Sequence, residues 1–194
     1  MALGGTIRGK TTTLRMPVEA DLEAYARWSA DMRVRRLHKV WHEPAMPATW
    51  KERLKDAAKE KQDLIWSIDA GGTLIGMALV HLTQIGSDFY INQLVVDPEH
   101  WRKGYGFDAV LALHRFFFDY LDQRRGALDV HADNAAMLRI LDRLGYQEFA
   151  RGHQAHYRDG AYVDEVKLFV DKEAWQQRFS DEHEYARLDP EALR

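Results

Sequence analysis

The stretch HWRKGYGFDA, residues 100–109, places two glycines between a pair of cations and a long apolar segment. Gly104 and Gly106 lack a β-carbon, so the backbone there can take unusual dihedral angles and a ligand can approach its amides. Amides at the start of a helix have no partner one turn earlier and carry partial positive charge, which favours a phosphate. With Arg102 and Lys103 beside it, the stretch predicts a turn that binds phosphate or pyrophosphate. The alternative is a tight turn with ordinary solvated cations.

The segments on either side of this turn predict a strand before it and a helix after it. The run DFYINQLVV, residues 88–96, is rich in β-branched and apolar residues, and Asp97-Pro98 marks its end. The run FDAVLALHRFFFDYL, residues 107–121, repeats apolar residues at helical spacing and so presents one broad apolar face. The glycine turn therefore lies where a ligand would meet the start of a helix.

The rest of the chain reads as strands and helices of one α/β domain, without a linker or a repeat. Further strands are predicted at residues 11–16, 64–70, 73–85 and 127–132, further helices at 17–28, 48–61 and 134–145, and a hairpin turns at Asp159-Gly160. We divide the chain into a flexible leader at residues 1–10, a domain at 11–170 and a charged helical extension at 171–194 that packs on the domain.

Composition excludes several classes of protein. A net charge of −3 over 194 residues gives no basic excess for nucleic acid binding. With no cysteine, the chain has neither a disulfide nor a thiolate nucleophile. No apolar run approaches the roughly 18 residues of a membrane span, and the start lacks the apolar core of a secretion signal. We expect a cytoplasmic protein that binds neither nucleic acid nor membrane.

The segment GGTIRGKT, residues 4–11, satisfies the spacing of a nucleotide-binding P-loop. A true P-loop follows a buried strand and precedes a helix, so that amides and a helix dipole converge on phosphate. Here three residues precede the motif and a threonine-rich β-like run follows it. We therefore interpret this match as accidental.

Three segments occur in an order typical of a known family: LVVDPEHWRKGYGFDAV (94–110), NAAMLRILDRLGY (134–146) and YRDGAYVDEVKLF (157–169). Together they resemble the GNAT superfamily of acyl-CoA-dependent N-acetyltransferases, and most closely its branch of ribosomal-protein N-terminal and spermidine acetyltransferases. The opening LRMPVEADLEAYARWSADMRVRRL (14–37) is similar to the start of that branch, so the resemblance covers most of residues 11–170. It implies an α/β (α+β) fold with a mixed, mostly antiparallel sheet of about seven strands, splayed between strands 4 and 5 and flanked by helices.

The resemblance also implies a ligand and a reaction. Acetyl-CoA would enter the splay, and its acetyl group would pass to a primary amine, of a small molecule, a polyamine or a protein N-terminus, by direct attack in a ternary complex. A homodimer is plausible by analogy. The implied cofactor-binding residues are Leu94, Val95 and Val96 for the pantetheine arm, Arg102, Lys103, Gly104, Tyr105, Gly106 and Phe107 for the pyrophosphate, Asn134 for pantetheine or as a plain helix cap, and Arg139 for phosphate.

Two positions depart from the family pattern. Arg102 occupies a place that the branch often gives to glycine, so the loop is expected to be stiffer. Leu141 stands seven residues after Asn134, where many members carry a tyrosine that protonates the departing thiolate. Another group or water would then supply that proton, or the protein binds CoA without turnover as a sensor or scaffold.

Candidates for the amine side of the cleft are less constrained. His131 is the candidate catalytic residue because it titrates near neutral pH, although a satisfied histidine at a strand end is the alternative. Trp28, Trp41, Trp50 and Tyr90 are candidate walls of the acceptor pocket, Asn92 and Gln93 are candidate polar lining, and His42 with Glu43 are candidates to meet a cationic amine. The tryptophans have the alternative of being core. We predict no metal, since His153 and His156 face opposite sides of a strand.

Overall fold

The computed structural model of the chain describes residues 5–38, 45–60 and 62–179. The predicted acceptor-side residues Trp41, His42 and Glu43 lie outside these ranges. Within the described ranges, no helix is both long enough and apolar enough to cross a membrane.

A single open sheet of eight strands organises the described chain. In spatial order β1-β2-β3-β4-β5-β6-β8-β7, its strands are β1 (Ile7–Arg8), β2 (Thr13–Arg15), β3 (Asp63–Ala70), β4 (Thr73–Leu82), β5 (Asp88–Val96), β6 (Arg125–His131), β7 (Gln147–Arg158) and β8 (Ala161–Asp171). β5 and β6 run parallel, whereas the other neighbouring pairs of this sheet are antiparallel. The predicted mixed, mostly antiparallel sheet is confirmed. The strands predicted as 4 and 5 correspond to β5 and β6, because the first strand of the structure was not predicted.

The sheet starts earlier than the sequence predicted. Ile7–Arg8 pairs with Thr13–Arg15 and adds an edge strand to the expected seven. The segment predicted as a flexible leader, residues 1–10, therefore contains part of the folded sheet. The division of the chain into leader, domain and extension otherwise stays a prediction.

Helices cover both faces of the sheet: α1 (Leu22–Ala30), α2 (Met32–Arg35), α3 (Pro47–Glu60), α4 (Tyr105–Arg115), α5 (Ala135–Leu144) and α6 (Lys172–Phe179). α4 continues into a π-helical turn at Phe116–Tyr120. α4 is the crossover between the parallel strands β5 and β6, so its first turn lies beyond the end of β5. This placement brings the glycine turn to the edge of the sheet where β5 ends.

Two hydrophobic cores lie on opposite faces of the sheet. Ile65 and Trp66 are neighbours in β3 but belong to different clusters, as expected when side chains alternate across a strand. The larger cluster includes the apolar faces of α4 and α5, and α6 adds Trp175 to it, with its ring 5.2 Å from that of Phe118. The smaller cluster lies under α1 and α3 and contains Trp50.

A β-bulge interrupts β5 at Asn92. Leu79 of β4 is opposite Gln93 and Val80 is opposite Ile91, so Asn92 is the extra residue on the β5 side. The bulge exchanges the faces of the strand, because Phe89 and Ile91 join the larger core whereas Val95 joins the smaller one. Beyond Asn92, odd-numbered residues of β5 therefore point to the opposite face of the sheet, and the local twist of the strand is increased.

The P-loop-like segment proves to hold a carboxylate of the protein itself. Asp108, in the first turn of α4, accepts hydrogen bonds from the amides of Lys10, Thr11 and Thr12 at 2.8–2.9 Å and from both threonine hydroxyls. Burial opposes ionisation of Asp108, but these bonds outweigh it and hold the pKa of the carboxyl below its ordinary value. A β-carbon at Gly9 would lie 2.4 Å from Asp108 Oδ2, so a larger residue there would displace this carboxylate.

We predict that Asp108→Ala lowers the free energy of unfolding by about 3 kcal/mol, because it leaves consecutive amides without an acceptor. Urea denaturation at neutral pH measures the change. Asp142→Ala, on the exposed side of α5, is the matched control and should change stability by less than about 0.5 kcal/mol. Equal effects of the two substitutions would contradict this role of Asp108.

Candidate active site

The splay between β5 and β6 opens a cleft of about 1070 Å³. The parallel pairing joins Asp88–Tyr90 to Arg125–Ala127 and goes no further, although β5 continues to Val96 and β6 to His131. Beyond Tyr90, the edge of β5 that faces β6 therefore presents backbone amides and carbonyls without a β6 partner. The cleft runs from this gap to the glycine turn at the start of α4 and is lined by α2, α5 and residues 98–107 as well as by the two strands.

The glycine turn presents a row of unpaired amides to the cleft. Gly104 has φ 85° in the left-handed region and precedes the first residue of α4, Tyr105. The first helical bond runs from the amide of Asp108 to the carbonyl of Gly104, at 3.1 Å. In the described structure, the amides of residues 102–107 donate no hydrogen bond to another protein group. Such a helix start suits a phosphate or pyrophosphate.

Positive side chains surround this end of the cleft. Arg102, Lys103 and Arg139 are exposed and line it, and the Arg143 guanidinium lies 3.6 Å from the centre of the Phe107 ring. The predicted cationic residues thus line the same cleft as the free amides. A phosphate-bearing ligand would meet full charges as well as the helix terminus.

Arg102 adopts a left-handed backbone conformation, with φ 62°. This conformation costs a residue with a β-carbon roughly 1–2 kcal/mol, and glycine adopts it freely. On conformational grounds, the position therefore suits glycine. In this chain, the conformational cost accompanies an additional charge at the mouth of the cleft.

The residues predicted to hold the pantetheine arm also line the cleft. Leu94, Val95 and Val96 belong to the stretch of β5 that has no β6 partner. The carbonyl of Val96 accepts a hydrogen bond from the Trp101 indole at 2.6 Å, which ties the end of β5 to the turn. Asn134 lines the opposite side, where its Oδ1 caps α5 by accepting from the amide of Met137 at 3.1 Å.

A carboxylate that the sequence analysis did not single out lies on the β6 wall of the cleft. Asp129 lines the cleft and faces away from the core residues Leu128 and Val130. The hydroxyl of Tyr90 hydrogen-bonds to it, so burial followed by this bond raises the pKa of Tyr90 well above its ordinary value. The alternation in ALDVHA, residues 127–132, is the signal that could have placed Asp129 on the same face as His131.

His131 stands at the end of β6, two residues beyond Asp129, and lines the cleft while only 3% exposed. Its Nδ1 lies 2.6 Å from Nη1 of Arg158, and its ring centre is 4.8 Å from that of His156. Burial lowers the pKa of His131, and the positive charge of Arg158 lowers it further. Near neutral pH, the ring is therefore uncharged.

Two predicted pocket walls lie elsewhere. Trp28 is 1% exposed in the smaller core, where its indole donates to the Asp97 carboxylate at 2.8 Å. Trp50 is fully buried in the same core beside Tyr25. Neither lines the cleft, because α1 and α3 turn these rings towards the sheet. Tyr90, predicted as a third wall, does not line the cleft either, although its hydroxyl bonds to Asp129, which does. Asn92 lines the cleft directly, and Gln93 lines it from a buried position.

Leu141 is fully buried in the larger core and does not line the cleft. Ile140 and Arg143, on either side of Leu141 in α5, line the cleft instead. The position of the expected tyrosine acid is therefore occupied by a packing residue. A proton for a departing group has to come from elsewhere in the cleft or from water.

Comparison with known proteins identifies the family. Residues 11–147 match the model of the acetyltransferase (GNAT) domain, so the chain belongs to the GNAT acetyltransferase family. A curated relative, the uncharacterized N-acetyltransferase YoaA of Bacillus subtilis strain 168, is 30% identical over 109 residues, which cover 55% of this chain. The match spans 61% of that relative's length.

Solved structures of GNAT acetyltransferases share the fold. A spermidine N-acetyltransferase from Vibrio cholerae, in complex with CoA and spermine, has a TM-score of 0.76 at 17% identity, covering 85% of this chain and 98% of that one. RimJ of Mycobacterium smegmatis, in complex with CoA-disulfide, has a TM-score of 0.73 at 18% identity, covering 92% and 93%. At these identities, the likeness concerns the fold.

We predict that Arg102→Gly separates stability from affinity. Glycine adopts the left-handed backbone conformation of residue 102 without the cost that arginine has. The substitution should therefore leave the free energy of unfolding unchanged or raise it by about 1 kcal/mol. Losing the cation should weaken CoA binding roughly 3-fold to 10-fold. Lys103→Ala is the matched control, since it removes a cation at a residue without a positive φ and should weaken binding without a gain in stability. Denaturation and calorimetric titration measure both quantities, and a clear loss of stability in Arg102→Gly would contradict the strain argument.

Proposed function

We propose that the protein transfers the acetyl group of acetyl-CoA to a primary amine by direct attack in a ternary complex. The observation that carries this proposal is that unpaired amides at the start of α4, the unpaired edge of β5 and a carboxylate on β6 open into one cleft. The first two features suit the diphosphate and the pantetheine arm. The third suits an amine.

The described residues fit acetyl-CoA as follows. The amides of residues 102–107 would bind the pyrophosphate, with Arg102, Lys103 and Arg139 as its counter-charges. Leu94 to Val96 would bind the pantetheine arm along the free edge of β5. When bound, acetyl-CoA supplies a thioester whose carbonyl carbon accepts the amine and whose thiolate departs. Backbone amides of β5 that face the gap would stabilise negative charge that develops on the carbonyl oxygen.

The amine has to lose a proton before it can attack. An alkylammonium has a pKa near 10, so at neutral pH a neighbouring carboxylate first attracts it and then helps to remove the proton. Asp129 is the carboxylate that we assign to this role, because it lines the cleft and is held there by the Tyr90 hydroxyl. On the departing side, a free thiol has a pKa of about 8.5, so its thiolate leaves without an obligatory acid. The leucine at 141 is then tolerable.

A structural relative that was solved with spermine as well as CoA supports an amine acceptor. A cytoplasmic location and a homodimer stay predictions. The alternative function is a CoA-binding sensor or scaffold without turnover. The observation that favours it is the burial of Leu141 at the position of the expected acid.

Release of free thiol from acetyl-CoA in the presence of an amine panel tests the proposal. We predict amine-dependent release and a roughly 100-fold loss of kcat/KM in Asp129→Asn, because the carboxylate acts on the amine proton. CoA affinity, measured by calorimetry, should stay within about 2-fold. Asp142→Asn, on the exposed side of α5, should leave both unchanged.

CoA binding without thiol release for any amine would favour the sensor or scaffold. Full activity of Asp129→Asn would keep acetyl transfer but remove Asp129 from it.

A further inference from the structure

The β6 wall of the cleft contains a histidine whose hydrogen-bonding state is fixed by an arginine. Arg158 of β7 reaches across the end of β6 and places Nη1 2.6 Å from Nδ1 of His131. The same guanidinium donates to the Asp133 carboxylate and to the carbonyl of Arg36. It is held on three sides, and its side chain is 10% exposed.

This contact determines which ring nitrogen of His131 carries the proton. A guanidinium can only donate hydrogen bonds, so Nδ1 has to be the accepting nitrogen and the neutral ring carries its hydrogen on Nε2. The carbonyl of Arg36 also lies near the ring and would accept from a protonated Nδ1. That arrangement would bring two N–H donors against each other at 2.6 Å, and Arg158 already donates to this carbonyl. The Nε2–H form is therefore favoured.

The Nε2 atom of His131 is buried and has no hydrogen-bond partner in the described structure. A buried donor without an acceptor costs about 1–3 kcal/mol, and such groups commonly mark a functional role or a missing ligand. On the facing strand, Oε1 of Gln93 is likewise buried and unpartnered, and Gln93 is 7% exposed. Both residues line the cleft beyond the last β5–β6 pair. One wall thus holds a buried donor without a partner, and the other a buried acceptor without a partner.

We propose that His131 selects the acceptor by donating from Nε2 to an oxygen next to its amine, and that Arg158 is the positioning residue that keeps the hydrogen on Nε2. The substrate class is an α-amine beside a carbonyl, as in a peptide or amino-acid amide. A polyamine presents N–H donors and cations, so it would leave the His131 donor unpaired. His131 then recognises substrate, and the carboxylate of Asp129 acts on the proton. This inference rests on the proposed acetyl transfer.

The wild-type protein tests the selection with two amines of similar shape. Alaninamide carries the carbonyl, and 1,2-dimethylpropylamine replaces its amide group with an isopropyl group. The two amines differ in basicity, so kcat/KM is compared per concentration of free amine. We expect alaninamide to exceed the alkylamine and spermidine by at least about 10-fold, the equivalent of one lost hydrogen bond. Equal or better use of spermidine would overturn the inference.

Two substitutions at His131 separate recognition from base catalysis. The amide nitrogen of glutamine can occupy the place of Nε2, whereas that of asparagine reaches only the place of Nδ1. We expect His131→Gln to keep the preference for alaninamide within about 3-fold, and His131→Asn to lose it while still using the alkylamine. Equal, large losses in both variants on both amines would instead indicate a catalytic base. If a variant fails to fold, the wild-type substrate comparison still decides.

The role of Arg158 has its own measurement. In ¹⁵N-labelled histidine spectra, the His131 ring, assigned by comparison with His131→Gln, should show its hydrogen on Nε2. Arg158→Met should relax this preference and reduce the ratio of kcat/KM for alaninamide to kcat/KM for the alkylamine. A ring with its hydrogen on Nδ1 in the wild-type protein would overturn the proposal.

These results distinguish a failure of acceptor selection by His131 from a failure of acetyl transfer. Thiol release with amines but without preference for a neighbouring carbonyl defeats the selection and leaves acetyl transfer standing. The absence of release with any amine defeats acetyl transfer itself.

Discussion

The cleft exists because β5 and β6 are held together over a short parallel ladder and then drawn apart. β6 is paired with β8 along its whole length, from Arg125 to His131, so it follows the second half of the sheet. β5 stays with β4 and carries the bulge at Asn92, which increases its twist. The two strands separate beyond Tyr90 as a result. The free edge of β5, the start of α4 and the polar face of β6 all depend on this separation.

The separation also divides the cleft into two chemically different ends. At the glycine turn, unpaired amides and cations face a ligand that carries phosphate. Towards the end of β6, Asp129 and His131 offer a carboxylate and a neutral donor. Because β6 alternates, its apolar residues support α4 and α5 from below while its polar residues reach the acceptor side. A single strand therefore links the packing of the core to the chemistry of the cleft.

Much of this arrangement could be predicted from local sequence. The glycines, the cations and the apolar period of residues 107–121 are local signals, and they placed the strand, the turn and the helix start. Asp129 was missed because its role depends on which face of β6 borders the splay, and that follows from pairing with β8. The positions of Trp28 and Trp50 were not predictable either, since an aromatic residue suits a core and a pocket equally well.

Two further features lay beyond local signals for a similar reason. The edge strand Ile7–Arg8 is too short to show the alternating pattern of a strand. Residues 4–11 match the spacing of a P-loop, and that match suggests a phosphate ligand instead of a carboxylate of the protein. In the structure, the amides of residues 10–12, at the end of that segment, bind Asp108, almost 100 residues away in sequence. The contact ties the first strands to the first turn of α4. The structure thus contains two groups of neighbouring backbone amides. Those of residues 10–12 bind the Asp108 carboxylate, and those of residues 102–107 face the open cleft.

The central claim is that the free amides of the glycine turn and of the β5 edge receive CoA. Amide hydrogen exchange, followed by mass spectrometry with and without CoA, measures this directly. The account predicts slower exchange at residues 102–107 and 91–96 on binding, with little change in the peptide that spans β7. Tight binding of CoA with protection elsewhere and none at these two segments would contradict it.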